Sequence, residues 1–227
     1  MKIRQGKVTE ILLDGSMRIE CPSDVIPLPG QYLHAHQPAS NSPLPVSLFF
    51  TDSSFNGFRA APPTPLGWRP GDAIHFRGPL GNGFQVPPFV KKIAFIAFDG
   101  FIGRLNGLMA QALKENKEAV LVCDAAPQGL PEALEAQPLQ ALPDVLRWAE
   151  YAAFDVRREN VNQLKAMLRE QNQASPKIEA QILIYADMPC GGIAECGVCA
   201  LMLPHEWKMI CKEGPVLNAR SVLWDEG

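Results

Sequence analysis

The chain has 227 residues, long enough for one large domain or two modest ones around a real core. Its 47% apolar and 20% charged composition is ordinary for a soluble globular protein. A net charge of −3 with no long basic run leaves no electrostatic footprint for nucleic acid. No apolar stretch reaches the length of a membrane span, because Pro and Gly interrupt the longest uncharged runs.

The first residues, MKIRQGKVTEILL, alternate in polarity like a strand. They lack the apolar core and small-residue cleavage site of a signal peptide, so a cytoplasmic protein is expected. In that compartment clustered cysteines bind metal more often than they pair as disulfides.

Residues 1–88 read as short strands punctuated by turns. KIRQGKVTEILL, SMRIEC, QYLHAH, VSLFFT, GFRAA and DAIHFRG are each of strand length, separated by Leu13-Asp14-Gly15-Ser16, Pro29-Gly30 and Pro70-Gly71-Asp72 among other turns. Six strands with no helical period between them predict a small antiparallel barrel.

Residues 89–187 change character. KKIAFIAFDG and AVLVCDA are apolar runs suited to buried parallel strands, and GRLNGLMAQALKENK between them has helical spacing, with Leu105, Leu108, Met109, Ala112 and Leu113 on one face. The Pro-rich stretch from Pro127 to Pro143 reads as a surface excursion with at most a helical turn. YAAFDV, ENVNQLKAMLREQ and EAQILIYA then predict strand, helix and strand. The series implies an α/β domain with a mostly parallel sheet, making the whole a multi-domain α+β chain.

Residues 188–227 form a small cysteine-rich module. Cys190, Cys196, Cys199 and Cys211 have the spacing C-x5-C-x2-C-x11-C. The close pair can grip one metal or one cluster edge; Gly191, Gly192 and Gly197 let the backbone wrap tightly, and Pro204-His205 supplies a turn that returns Cys211. Four converging thiolates suit a [2Fe–2S] cluster or a tetrahedral zinc. A zinc ribbon has two symmetric C-x2-C knuckles, whereas here one pair is close and the fourth cysteine distant, which favours the cluster. Trp207 is read as covering the cluster or packing in the hairpin, and Glu195 and Glu206 as solvated carboxylates. Cys21 and Cys123 fall inside predicted strands as small buried hydrophobes. His34, His36 and His75 read as surface or packing residues of the barrel.

MPCGGIAECGVCALMLPHEWKMICKEGPVL resembles the C-terminal module of the electron-transfer subunits of class B dihydroorotate dehydrogenases, within the ferredoxin–NADP reductase superfamily. Those subunits show M-x-C-G, a C-x-x-C pair and C-x-(D/E)-G-P-V. GDAIHFRGPLGNGF is similar to their G-D-x-(apolar)-x-(apolar)-x-G-P-L-G-x-G-F barrel end. The order of regions agrees as well: a FAD-binding-type barrel, a NAD-binding-type α/β domain, then the cluster module. This chain has five residues between its first two cysteines where the family has four.

The resemblance implies a [2Fe–2S] cluster on Cys190, Cys196, Cys199 and Cys211. It also implies FAD near Pro45, Val46 and Ser47 and near Thr64, and a flavin-containing, dihydroorotate dehydrogenase-like partner. The family's pyrophosphate-gripping arginine corresponds to Leu44, and its G-T-x-x-L cradle to Pro63-Thr64-Pro65-Leu66, whose prolines lack amide donors. In the nucleotide turn AFDGFIGRL, Gly100 and Gly103 leave some room. Asp99 would repel a pyrophosphate there, and Phe154-Asp155-Val156 stands where the family has C-G-P, so NAD is not expected.

Three readings follow. They are an electron-transfer subunit that holds FAD through backbone contacts, a cluster-only subunit that has lost flavin, and a zinc-bearing structural or docking protein. Under the first two, Ile193, Val198 and Met202 near the cluster are the expected docking anchors.

Overall fold

The computed structural model describes residues 3–39, 44–125, 129–171, 174–175, 177–204 and 206–224. Six strands form a closed barrel: β1 (Arg4–Ile11), β2 (Met17–Glu20), β3 (Tyr32–His36), β4 (Val46–Ser54), β5 (Gly57–Ala60) and β6 (Ala73–Leu80). The spatial order is β1-β2-β5-β4-β3-β6 and every pairing is antiparallel. Period-two alternation sends Val8, Ile19, Leu33, Leu48, Phe58 and Phe76 into the barrel core. The first hairpin closes as its turn residues demand: Ser16 N–H donates to Asp14 Oδ1 at 3.0 Å, and Gly15 supplies φ +77°.

The second unit is built on β7 (Lys92–Ala97), α1 (Asn106–Lys114), β8 (Glu118–Val122), β9 (Leu134–Gln137), α2 (Leu142–Trp148), β10 (Tyr151–Arg157), α3 (Val161–Glu170) and β11 (Glu179–Tyr185). Strands β11-β10-β7-β8-β9 lie side by side in parallel. Ile93 and Phe95 of β7 pack on the α1 side, and Ala94 and Ile96 on the α2–α3 side. A strand covered on both faces must be apolar throughout, which is why its sequence does not alternate.

The Pro-rich stretch corrects one expectation. It contributes β9, an edge strand pairing Ala119 with Leu134 through Val122 with Gln137, and leads into α2. Only Leu134 of β9 is buried, so its four residues carry no readable period. Cys21 and Cys123 stand just past the ends of β2 and β8 rather than inside them; Cys123 is buried and Cys21 half-buried.

After β11 come the hairpin β12 (Ala200–Met202) and β13 (Trp207–Met209), then α4 (Ile210–Glu213), β14 (Val216–Asn218) and α5 (Ala219–Leu223). β14 pairs antiparallel with β11, so the end of the cysteine-rich segment is part of the main sheet. The two stretches that carry the resemblance, far apart in sequence, lie against each other. Asn82 N–H donates to Gly214 O and its side-chain amide to Glu213 O, both at 2.7 Å. A Cβ on Gly81 would stand 2.4 Å from Pro215 Cδ, so only glycine permits this approach. Among the described residues, no helix is long and apolar enough to cross a membrane.

Candidate metal centre and adjoining pocket

Beyond β11 the chain enters a loop in which Gly191, Gly192, Ala194 and Gly197 all have positive φ. Ala194, at +66°, holds a conformation that costs an L-residue roughly 1–2 kcal/mol. It lies in the stretch that carries one residue more than the family spacing. Consecutive tight turns point backbone N–H groups inward at the sulfurs.

The four sulfurs make a connected series. Cys190 Sγ lies 3.8 Å from Cys211 Sγ, and Cys211 N–H donates to Cys199 Sγ at 3.3 Å. Burial raises the Cys190 thiol, but donors outweigh it: the N–H groups of Ala194 and Cys196 and the thiols of Cys196 and Cys211 bring it down to about 6. Cys211 goes the other way, pushed up to about 12 by burial and then by Cys199 and Cys190 beside it, with the Gly192 N–H pulling back. Thiolates this close cannot all ionise unless a cation sits among them. Their donor set therefore fits a positively charged iron or zinc centre. Among the described residues, no three His, Cys, Asp or Glu side chains gather around one point as a single ion requires. Four thiolates are the ligand count that a [2Fe–2S] cluster would use.

The barrel supports this loop. Tyr32 Oη donates to Cys211 O at 3.3 Å. Arg77 on β6 donates through Nη2 to Cys190 O at 3.3 Å and Gly191 O at 3.2 Å. The same nitrogen lies 3.1 Å from Nδ1 of His34, its cross-strand neighbour on β3. Arginine cannot accept, so Nδ1 is the acceptor. Burial and then the Arg77 cation lower the His34 pKa, keeping the ring neutral. His34 is thus a buried partner of the loop rather than generic packing.

Cys196 is exposed while Cys199 and Cys211 are buried, so one edge of the site faces solvent. Around it Ile193 (54%), Val198 (43%), Met202 (68%) and Trp207 (62%) are exposed. Trp207 pairs with Met202 across the hairpin and is largely exposed, a place in the hairpin rather than in the core. Glu195 and Glu206 are solvated, Glu206 pairing with Lys208 at 2.8 Å. His205 lies outside the described residues.

Pro45, Val46, Ser47 and Thr64 come together around one cavity of 550 Å³, closed on its other side by Tyr185–Pro189 and by Val198 of the cysteine loop. A larger cavity of 770 Å³ opens on another part of the barrel, beside Cys21 and Phe55, and touches none of the four clustered cysteines. The smaller cavity has the size of a cofactor pocket. Among the described residues Ser47 Oγ is buried without a hydrogen-bond partner, a polar atom that a flavin ring could satisfy. A diphosphate fits less well: Thr64 Oγ1 is turned away to Gly15 O at 2.6 Å, Pro63 and Pro65 have no N–H, and exposed Leu44 stands at the rim.

Gly100 and Gly103 line a different cavity, with Arg59, Pro62 and Met109. A Cβ on Gly103 would lie 2.6 Å from the Phe101 ring, so this glycine admits Phe101 rather than a dinucleotide. Asp99 is used internally, accepting from the Arg157 N–H at 2.6 Å and from the Asn160 side chain. Asp155 accepts from Nε and Nη2 of the buried Arg104 guanidinium at 2.9–3.0 Å. That guanidinium also lies 4.5 Å from the ring centroids of both Phe101 and Tyr185. Burial pushes Asp155 up to about 6 against the pull of Arg104. At the turn after β7, Asp99, Phe101 and Asp155 are thus engaged by this chain's own side chains rather than offered to a ligand. Sequence reading missed Arg104, Arg77 and Tyr32. A lone arginine inside the apolar FIGRL segment was the available signal for the first, while nothing local marked the other two.

Comparison with known proteins agrees with this architecture. No family model matches the chain. It is 25% identical over a 242-residue alignment, covering 87% of both chains, to the "Dihydroorotate dehydrogenase B (NAD(+)), electron transfer subunit" of Desulforamulus reducens. Among solved structures it is similar to a cytochrome P450 reductase of Amycolatopsis, with TM-score 0.58 and 13% identity over 81% of this chain and 70% of that one. The ferredoxin–NADP+ reductase of Plasmodium falciparum matches with TM-score 0.57 and 10% identity, over 81% and 97%. A FAD-free ferredoxin reductase of carbazole 1,9a-dioxygenase gives TM-score 0.59 and 15% identity, over 81% and 68%. The fold is that of the ferredoxin reductases, and the likeness to the electron-transfer subunit spans nearly the whole chain.

Proposed function

We propose that this chain is an iron–sulfur electron-transfer subunit of an oxidoreductase complex, with Cys190, Cys196, Cys199 and Cys211 holding a [2Fe–2S] cluster. The carrying observation is the connected series of four sulfurs inside a loop whose N–H groups point at them. When bound, the cluster supplies one-electron transfer, which a flavin partner can deliver or receive. The protein's own contribution is positional. N–H donors from Ala194, Cys196 and Cys211 stabilise thiolate charge, and the barrel fixes the loop through Tyr32 and Arg77. The partner is a flavin-containing dehydrogenase subunit, with a dihydroorotate dehydrogenase as first candidate on the strength of the 25% relative. It docks on the exposed rim of Ile193, Val198 and Met202.

In this reading a flavin ring occupies the 550 Å³ cavity beside the cluster loop, satisfying Ser47 Oγ, and pyridine nucleotide has no place. A second reading, a cluster-only subunit, is favoured by Leu44, Pro63 and Pro65, which provide neither cation nor amide for a diphosphate. An anaerobic visible spectrum with iron, zinc and released flavin quantified on one sample separates them. Bands that bleach with dithionite and about two irons per chain support both cluster readings, and flavin content chooses between them. A colourless zinc protein overturns both.

A further inference from the structure

One cation held against the cysteine loop comes from the barrel, Arg77 of β6. Arg77 is half-buried, and its three hydrogen bonds go to neutral acceptors: Cys190 O, Gly191 O and His34 Nδ1. Among the described residues no carboxylate pairs with it. The loop is shaped to the pair, because a Cβ on Gly191 would lie 2.3 Å from His34 Nδ1 and 2.4 Å from Arg77 Nη2. In sequence Arg77 occupies an unspecified position of the barrel-end motif, so the resemblance assigns it nothing.

We propose that Arg77 is a positioning residue for the cluster, clamping the ligand loop to the barrel and raising the cluster's reduction potential with an unpaired charge. The inference rests on the cluster reading above. Two physical effects support it. A [2Fe–2S] centre with four thiolates gains one negative charge when it takes one electron, so a nearby cation favours the reduced state. Nη2 also meets two successive carbonyls, fixing the peptide that carries Cys190 at a reach and angle set by the rigid guanidinium plane, which the shorter, flexible lysine does not reproduce.

The test uses the full chain, purified anaerobically with its cluster, as wild type, R77Q and R77K. Redox titration with dithionite, followed by visible absorbance, gives the potential, and iron release to a chelator gives loop retention. At a fixed poise, R77Q is expected to lower the reduced-to-oxidised ratio roughly tenfold, which is about 59 mV for one electron. R77K keeps the charge and is expected to stay within about twofold of wild type while releasing iron several-fold faster. An R77Q potential equal to wild type at full iron content overturns the proposal, as does an R77K potential that falls as far as that of R77Q. If R77Q sheds its cluster before titration, R77K decides: iron release no faster than wild type overturns the clamp. Wild-type metal content is measured first, so zinc without iron is recognised as failure of the cluster reading itself.

Discussion

Arg104 and Asp155 form a buried ion pair at the carboxyl end of the parallel strands, with three N···O contacts of 2.9–3.0 Å and side chains 3% and 0% exposed. Breaking such a pair from one side leaves an uncompensated buried charge, costing about 3–5 kcal/mol, whereas replacing both partners by apolar groups is often neutral. R104M is therefore expected to lower stability by that amount, and R104M/D155L to recover most of it. Denaturant midpoints of the four proteins in the cycle measure this; equal losses in the single and double variants would refute it.

The same pair sets a pH dependence. Burial raises the Asp155 pKa from its ordinary 3.8 to about 6 in the folded chain. A raised carboxyl contributes stability that is fully present below the unfolded value and lost as pH rises through the folded one, here from about 4 to about 6. Removing Arg104 removes the opposing pull and extends that window upward. The destabilisation of R104M is thus expected to be larger at pH 8 than at pH 5. The reverse order would show that Asp155 is not the titrating group.

The cysteines make separable predictions. C190S, C199S and C211S are each expected to remove most of the roughly two irons per chain and the visible bands. C21S and C123S, whose thiols stand away from the loop at the ends of β2 and β8, are expected to keep both. Iron retained in C199S at the wild-type level would exclude it as a ligand.

Flavin affinity tests the pocket. Ser47 Oγ has no partner among the described residues, so S47A is expected to leave stability without cofactor unchanged or slightly higher and to weaken flavin by about 1 kcal/mol, roughly fivefold in Kd. L44R supplies the missing cation and is expected to tighten FAD about tenfold or more while leaving riboflavin, which has no phosphate, unchanged. Equal effects on the two ligands would mean that residue 44 does not face the phosphates.

What could be read in advance followed physical locality. The barrel strands are short apolar or alternating runs bounded by turn residues, and β7, β8, β10 and β11 are apolar runs of the right length, so each announces itself within its own residues. The clustering of Cys190, Cys196, Cys199 and Cys211 was visible for the same reason, since they fall within 22 residues of one another. β9 was not, because four residues with one buried side chain hold no period. Arg77, Tyr32 and Arg104 were also hidden, since their roles arise from partners 43 to 179 residues away. Asp99 and Asp155 could be seen to disfavour a dinucleotide, yet only the fold reveals that one is tied to Arg157 and Asn160 and the other to Arg104.

Two glycines of the cysteine loop provide the sharpest contrast. Gly191 and Gly197 both have positive φ, +58° and +70°, so alanine at either carries a backbone cost of roughly 1–2 kcal/mol. Their surroundings differ completely: a Cβ at 191 would meet His34 and Arg77 at 2.3–2.4 Å, whereas nothing lies within 4 Å of one at 197. Both G191A and G197A are expected to lose a little stability, but only G191A forces the loop off the barrel. G191A should therefore release iron to a chelator at least about tenfold faster than G197A, the extra displacement costing more than 1.4 kcal/mol. If the two variants release iron equally fast, contact with His34 and Arg77 does not hold the loop, and backbone conformation alone accounts for both glycines.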